Sequence, residues 1–501
     1  MQFCACGTAV DGRWSRTKQA TYPRCPAGVG GTHPAPQARH RIQRGADATT
    51  NRQTSYGTDE RRGVSGHDVS GQSVSREHPG AENAWGHGKP RRYGILGFPF
   101  SRLPPRDGSY SSLDTVTWST VQALGRRGAQ VIVGAWDVQD GDIDGVEVLP
   151  VDGRPDWLLR AAVRVPTGRR DWPRWTSRLH HPFHLLSGMR ALRRHGADVI
   201  QLTHEFANLL PARLIARRVP VITQIHAVWI DDQPALGRRL RHVDAVATVS
   251  DFVHQTVVDV EPSLETRTAT VRNGVDLAAF PGRDALVATD RDGPAAWRRR
   301  LQTNGRPLIV SVGRITPEKG THVLAQATAL LRERGHDFVV AVAGQKRARY
   351  QRPGRARNPR WREIERLNQN YLERVEALAE AQPFHLLDTI SSSDLRRLLA
   401  AADLFVAPSF SPEPCGLPVL EAMAMDLPVV ASADGAYPEL VGDAAVLVPP
   451  GDPGALADVM ESMLLRPGRR AELARRARPQ ASRHTWDATA EALTRLAERI
   501  C

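Results

Sequence analysis

Cysteine is scarce in this chain of 501 residues: Cys4, Cys6, Cys25, Cys415 and Cys501 are all there are. An odd, scattered set of this kind builds no disulfide framework and suits a reducing compartment. Cys4 and Cys6 make a poor zinc site without further ligands, and the histidines between His33 and His87 do not fall at metal-ligand spacings. Long apolar runs are missing too. None reaches the roughly eighteen residues of a membrane span, and the first thirty residues or so lack the apolar core of a signal peptide. A soluble, cytoplasmic protein is the expectation. Acidic side chains are in deficit, 54 against 67 Lys and Arg, which leaves a formal charge of +13. Polyanions, acidic membrane surfaces and phosphorylated ligands are all compatible with that balance, and charge alone does not choose among them. The first loop also lacks a G-x-G-x-x-G, which weakens the case for a nicotinamide or flavin enzyme.

The chain is too long for a single core and predicts two domains with additions. Residues 1–88 are rich in Gly, Ser, Thr, Arg and Gln, with hardly two apolar residues in register. Such a segment buries too little surface to offset its ordering entropy, so a disordered basic extension is expected. Order is expected from residue 89. Arg92 to Phe98 reads as a strand, Pro99 to Ser112 as a loop, Leu113 to Arg127 as a helix and Ala129 to Ala135 as the next strand. From Trp157 to Arg194 the chain mixes Arg, His and Trp. Trp172, Trp175 and Phe183 beside Arg169, Arg170, Arg174 and Arg178 read as an amphipathic surface helix, with a membrane interface or a stacking surface as the alternative. Strands at Asp198 to Thr203 and Pro220 to Ile225 end at His204 and His226, where the cleft of a parallel sheet lies. The polar stretch 281–305 reads as a linker between a first domain, 89–280, and a second, 306–478, with 479–501 as a terminal helix. An Arg-rich insertion from Gln345 to about Arg374 is expected to be a solvated basic helix, with a lid as the alternative.

The stretch from Phe405 to Asp443 organises the rest. A short apolar strand breaks at Pro408 and Ser409 into a loop. Gly416 and Pro418 then start a helix carrying Leu417, Leu420, Ala424 and Met425, and a second strand follows at Pro428 to Ala431. Ligands of doubly wound sheets sit beyond the strand carboxyl ends, where this loop lies. Glu413 and Glu421 frame it. At about 100° per residue they do not share a helix face, so Glu413 belongs in the loop, facing its mouth. Glu421, one turn inside the helix, is placed to accept hydrogen bonds from ribose hydroxyls. The helix N-terminus between them suits a diphosphate.

The segment PSFSPEPCGLPVLEAMAMDLPVVAS, from Pro408 to Ser432, resembles the E-x7-E segment of retaining GT-B glycosyltransferases of the family-4 type, in the EPCGL variant shared by bacterial glycogen and starch synthases. A second segment, SVGRITPEKG from Ser311 to Gly320, resembles the family's diphosphate-gripping stretch. VITQIHAVW, around His226, is similar to the segment whose histidine approaches the donor sugar, and Val271 to Asp276 matches the turn closing the first domain. The resemblance covers nearly everything from Arg92 on.

It implies two Rossmann-like doubly wound α/β domains facing a central cleft, and transfer of a sugar from a nucleotide-diphosphate donor to an acceptor hydroxyl with retention of configuration. The setting would be glycan, glycolipid or secondary-metabolite biosynthesis. Arg314 and Lys319 would grip the diphosphate with the amides of Gly416 and Leu417, while Glu421 holds the ribose. Glu413 would hold donor-sugar hydroxyls, with His226 beside the sugar. Gly108 would face phosphate and acceptor, although the family's double glycine is reduced here to Asp107-Gly108-Ser109. Asp388 stands where the family usually has glycine beside the base. No D-x-D stands in a suitable loop, so no metal and no cofactor beyond the donor are expected. The partners implied are the nucleotide sugar and a hydroxyl acceptor; peripheral membrane contact stays open, and nucleic acid is not expected. The competing readings are a sugar-nucleotide epimerase of related fold and a non-catalytic polyanion-binding protein.

Overall fold

The computed structural model describes residues 92–98, 102–103, 105, 112–138, 145–152, 155–156 and 181–501, the last without 232–233, 347–357 and 381. The expected basic extension, Gly108 and the tryptophans Trp172 and Trp175 lie outside the described residues.

The first half is a seven-stranded parallel sheet. Its strands are β1 (Arg92–Leu96), β2 (Gln130–Ala135), β3 (Val146–Pro150), β4 (Val199–Thr203), β5 (Val221–Ile225), β6 (Ala245–Thr248) and β7 (Thr268–Thr270). They lie in the order β3-β2-β1-β4-β5-β6-β7. The order reverses after β1, which marks a doubly wound sheet with its crevice at the strand carboxyl ends. The central strands are buried on both faces because helices cover both, and the polar residues they carry are paired inside: Gln201 Nε2 on β4 donates to Gln224 Oε1 on β5 at 2.8 Å. Helix α1 (Ser112–Arg126) packs on one face; α2 (Pro182–Arg194), α3 (Leu209–Ala216) and α4 (Asp251–Val260) belong to the other.

Residues 281–305, expected as a linker, carry α5 (Arg283–Thr289) and α6 (Asp292–Arg300). Trp297 and Leu301 are buried in the core of the second half, so this stretch is packed structure despite its charge. Ion pairs of Arg298 with Asp403 at 2.8 Å and of Asp290 with Arg397 at 2.6 Å add to these apolar anchors.

The second sheet has six parallel strands: β8 (Leu308–Val312), β9 (Val339–Ala343), β10 (Phe384–Leu387), β11 (Leu404–Ala407), β12 (Val429–Ser432) and β13 (Ala445–Val448), in the order β10-β9-β8-β11-β12-β13. Its switch point lies between β8 and β11. Helix α7 (Thr321–Glu333) follows β8. The insertion after β9 contains α8 (Pro359–Leu367) and α9 (Tyr371–Ala379). The expectation of a solvated basic helix fails here: Trp361, Ile364 and Leu367 recur at i, i+3 and i+6 and are all buried. The arginines around them had masked that stripe.

Helix α10 (Ser392–Ala401) leads to β11, α11 (Leu417–Ala424) leads to β12, and α12 (Tyr437–Val441) leads to β13. Helices α13 (Pro453–Leu465) and α14 (Pro467–Ala481) complete the half. The last helix, α15 (Trp486–Glu498), is capped by Thr485, whose Oγ1 accepts from Ala488 N at 3.2 Å, and it lies against α1. Trp486, Leu493 and Leu496 are buried there in the core of the first half. Side chains of that size contribute about 1.5–3 kcal/mol each on full burial, so the C-terminal helix is a structural part of the first half.

Candidate active site

After β8 the backbone passes through Gly313 into a tight 3-10 turn, Pro317–Lys319, before α7 begins. Gly320 makes that geometry possible. Its φ is 70°, and a Cβ there would stand 1.8 Å from the Pro408 carbonyl oxygen, so only glycine fits. The approach fastens the β8–α7 loop to the β11–α11 loop, and Phe410 N donates to Glu318 O at 2.9 Å across the same junction. One cleft results, lined among others by Ser311, Gly313, Arg314, Lys319, Ser409, Glu413, Pro418 and Tyr437. It opens at the N-termini of α7 and α11, where free backbone N–H groups and the helix dipoles favour an anion.

Two cations face this cleft, each held by a carboxylate. Lys319 Nζ donates to Glu413 Oε2 at 2.7 Å, and Gly416 N reaches Glu413 Oε1 at 3.4 Å. Arg314 Nη2 donates to Glu318 Oε1 at 3.1 Å, an oxygen that also accepts from Thr316 Oγ1 at 2.6 Å. Glu318 is buried and its Oε2 has no partner, while half of the Arg314 side chain stays exposed. A buried carboxylate orienting an exposed guanidinium leaves the remaining N–H groups of that guanidinium free for a ligand.

Glu413 is fixed from behind as well. Ala436 N donates to Glu413 O at 2.8 Å, and Gly435, at φ 63°, comes so close that a Cβ would lie 2.3 Å from Glu413 N. Ser409 Oγ and Tyr437 OH share a hydrogen bond of 3.2 Å beneath the loop. Glu421 lies one turn into α11, half-buried, and its carboxylate has no hydrogen-bond or ion-pair partner among the described residues. Burial pushes its carboxyl up to about 8.

On the first half, His204 and His226 follow β4 and β5 side by side. His226 N donates to His204 Nδ1 at 3.3 Å, and the ring centroids are 5.9 Å apart. Burial lowers His204 to about 4. Burial and then the neighbouring His204 lower His226 to about 3, so both imidazoles are neutral near pH 7. His226 Nε2 is buried with no partner. The halves touch at Asn273, whose Nδ2 donates to Cys415 Sγ at 3.2 Å; burial pushes that thiol up to about 12. Among the described residues no three His, Cys, Asp or Glu side chains gather as a metal site.

Two family models match the chain: "Glycosyltransferase Family 4" over residues 113–279 and "Glycosyl transferases group 1" over residues 295–480. A protein of Salinispora arenicola named D-inositol 3-phosphate glycosyltransferase is 32% identical over 348 residues, covering 67% of this chain and 70% of that protein. The chain belongs to the family-4 glycosyltransferases of the GT-B fold. The Salinispora tropica protein of the same name is 33% identical, over 67% of this chain and 65% of its own length, so the chain spans just under two thirds of that relative. Among solved structures, HepE of Anabaena in complex with UDP and glucose matches with a TM-score of 0.57 at 19% identity, covering 81% of this chain and 98% of that one. At that identity the likeness speaks for the fold.

In this glycosyltransferase Arg314, Lys319 and Glu413 line one cleft, Gly416 adjoins it through its amide on Glu413, and Leu417 packs on the core of the first half. Glu421 is deeper in the same helix, His226 stands on the other half, and Gly108 lies outside the described residues. Sequence reasoning missed Glu318, Gly435 and the Ser409–Tyr437 pair. Glu318 stands inside the segment SVGRITPEKG, but its pairing with Arg314 depends on the turn at Pro317–Lys319 and not on a helical spacing.

Proposed function

We propose that the chain transfers a sugar from a nucleotide-diphosphate donor to an acceptor hydroxyl with retention at the anomeric carbon. The observation that carries this reading is the Lys319–Glu413 pair, with Arg314, at two helix N-termini that open on one cleft. The departing diphosphate gathers negative charge, and Arg314, Lys319 and the amides near Gly416 and Leu417 stabilise it as fixed electrostatic groups, with no metal in the scheme. On donor binding Lys319 turns from Glu413 towards phosphate. Glu413 is then released to accept hydrogen bonds from donor-sugar hydroxyls, and Glu421 accepts from the ribose. His226, neutral, offers its unpartnered Nε2 to the donor sugar or to the proton in transit. Relatives named for D-inositol 3-phosphate, and the net positive charge, make a phosphorylated polyol the first acceptor to try. The test is a panel of UDP-, GDP-, ADP- and dTDP-sugars followed by ligand-induced thermal shift, then product analysis with the stabilising donor. A chain that binds no nucleotide sugar in this panel rejects the reading in favour of a non-catalytic role.

A further inference from the structure

The insertion after β9 touches both halves. On α8, Trp361 and Ile364 are buried in the core of the first half, while Leu367 at its end and Tyr371 just beyond are buried in the second. Tyr371 OH also bonds His322 at the start of α7, three residues from Lys319: it accepts from His322 N at 3.1 Å and lies 2.9 Å from Nδ1. In the first turn of α8, next to Trp361, Arg360 Nη1 is ion-paired with Asp434 Oδ2 at 2.5 Å. Asp434 Oδ1 accepts from Gly435 N at 2.9 Å, and Gly435 with Ala436 is the backbone wedged behind Glu413. An unbroken series of contacts therefore runs from the first-half core through Trp361, Arg360, Asp434 and Gly435 to Glu413 and Lys319.

We propose that α8 is a strap between the halves and that Arg360 is a positioning residue, holding Asp434 and thereby the loop that presents Glu413 to the cleft. The pair is half-buried, so little stability is at stake in it as a surface ion pair. What it fixes is geometry: Asp434 cannot shift without carrying Gly435, and no side chain or backbone slack separates Gly435 from Glu413. Cys415, two residues beyond Glu413 and covered by Asn273 of the first half, reports on the same loop.

The proposal rests on the donor-site reading for its kinetic arm only; the thiol arm is independent of it. With the full chain, Cys415 modification by N-ethylmaleimide is followed by mass spectrometry of its peptide in wild type, Arg360→Ala, Arg360→Lys and the exchange variant Arg360→Asp with Asp434→Arg. The modification rate is expected to rise about tenfold in Arg360→Ala and to return towards wild type in the lysine and exchange variants, as a restored pair requires. In the kinetic arm Arg360→Ala lowers kcat about tenfold or more and leaves nucleotide-diphosphate affinity within about twofold, because only the placement of Glu413 has changed. Trp361→Ala would give the same pattern more strongly, but its large truncation risks the fold, so the Arg360 series decides. A Cys415 rate that stays at the wild-type level in Arg360→Ala overturns the proposal, as does one that rises and is not restored by the exchange. Restoration in a protein that binds no nucleotide sugar upholds the strap and rejects the donor-site reading.

Discussion

Lys319 and Glu413 stand 94 residues apart in sequence and form an ion pair of 2.7 Å between the two loops at the switch point of the second sheet. Glu413 is only 7% exposed. Removing its cation leaves a buried carboxylate with one long amide contact, which is costly in itself. Lys319→Ala is therefore expected to act twice, removing a charge-assisted contact to the diphosphate worth roughly 1.5–3 kcal/mol and loosening the loop around Glu413. Arg314→Ala removes the same kind of contact and disturbs its carboxylate less, because the buried Glu318 keeps a bond of 2.6 Å from Thr316. Titration calorimetry with nucleotide diphosphate and initial rates with the intact donor should show large losses in both variants, greater for Lys319→Ala. Wild-type turnover in either takes that residue out of the site. EDTA is expected to leave the rate unchanged, and a strict Mg²⁺ requirement for the chemical step would contradict the metal-free scheme.

The two acids of the central segment are expected to separate kinetically. Glu421→Gln should chiefly weaken binding of free nucleotide diphosphate, since ribose contacts are shared by ground and transition states. Glu413→Gln should spare that affinity and depress turnover of the sugar donor. The opposite pattern would reverse the assignment of loop and helix.

Much of this arrangement was legible in the chain. Short apolar runs marked most of the strands, and Gly416 with Pro418 marked the start of α11 with Glu413 outside it. Arg314 and Lys319 came from the resemblance of SVGRITPEKG to the family's diphosphate-gripping stretch, and the fold sets both at the carboxyl end of β8, at the switch point of the second sheet. What could not be read was pairing over distance. Arg360 and Asp434 are 74 residues apart, and nothing local to either predicts the other. Trp361 and Ile364 were hidden because the surrounding arginines made the insertion look solvated, and Trp297 was hidden in the same way in the expected linker. Glu421 read simply as a ribose acceptor; its desolvation depends on how the fold covers α11.

Stability should depend on pH in two opposed ways. The Glu421 carboxyl is raised from its ordinary 4.5 to about 8, so between those values the folded chain holds a proton that the unfolded chain has released, and stability falls as pH rises across that window. His204 and His226 are lowered from 6.5 to about 4 and about 3. Below 6.5 the unfolded chain takes up protons that the folded chain refuses, and stability falls as pH drops towards those values. Urea midpoints across both windows should show a shallower acid limb in His226→Gln and a shallower alkaline limb in Glu421→Gln. Parallel profiles for all three proteins would mean that these groups are solvated in solution.

The contact between the halves offers a last test, at Glu439. The amides of the first three residues of α4 are all paired, and the first helical bond follows them. Asp251 N and Phe252 N donate to Glu439 Oε2 and Oε1, each at 3.0 Å, Val253 N donates to Ser250 Oγ at 3.2 Å, and His254 N donates to Ser250 O at 2.9 Å. Glu439 belongs to α12 of the second half, so a helix of the first half is capped by a residue of the other. It also accepts from Arg272 Nη2 at 2.8 Å. As a surface ion pair alone it would contribute little, and roughly 1 M salt would erase the effect. As a cap it is worth about 0.5–2 kcal/mol, and much of that survives salt because the hydrogen bonds persist. Glu439→Ala should therefore lower the urea midpoint in low and high salt alike, and Glu439→Gln, which keeps one acceptor oxygen, should recover part of the loss. A deficit that vanishes in high salt would reduce Glu439 to an ion-pair partner of Arg272 and leave the halves without this shared cap.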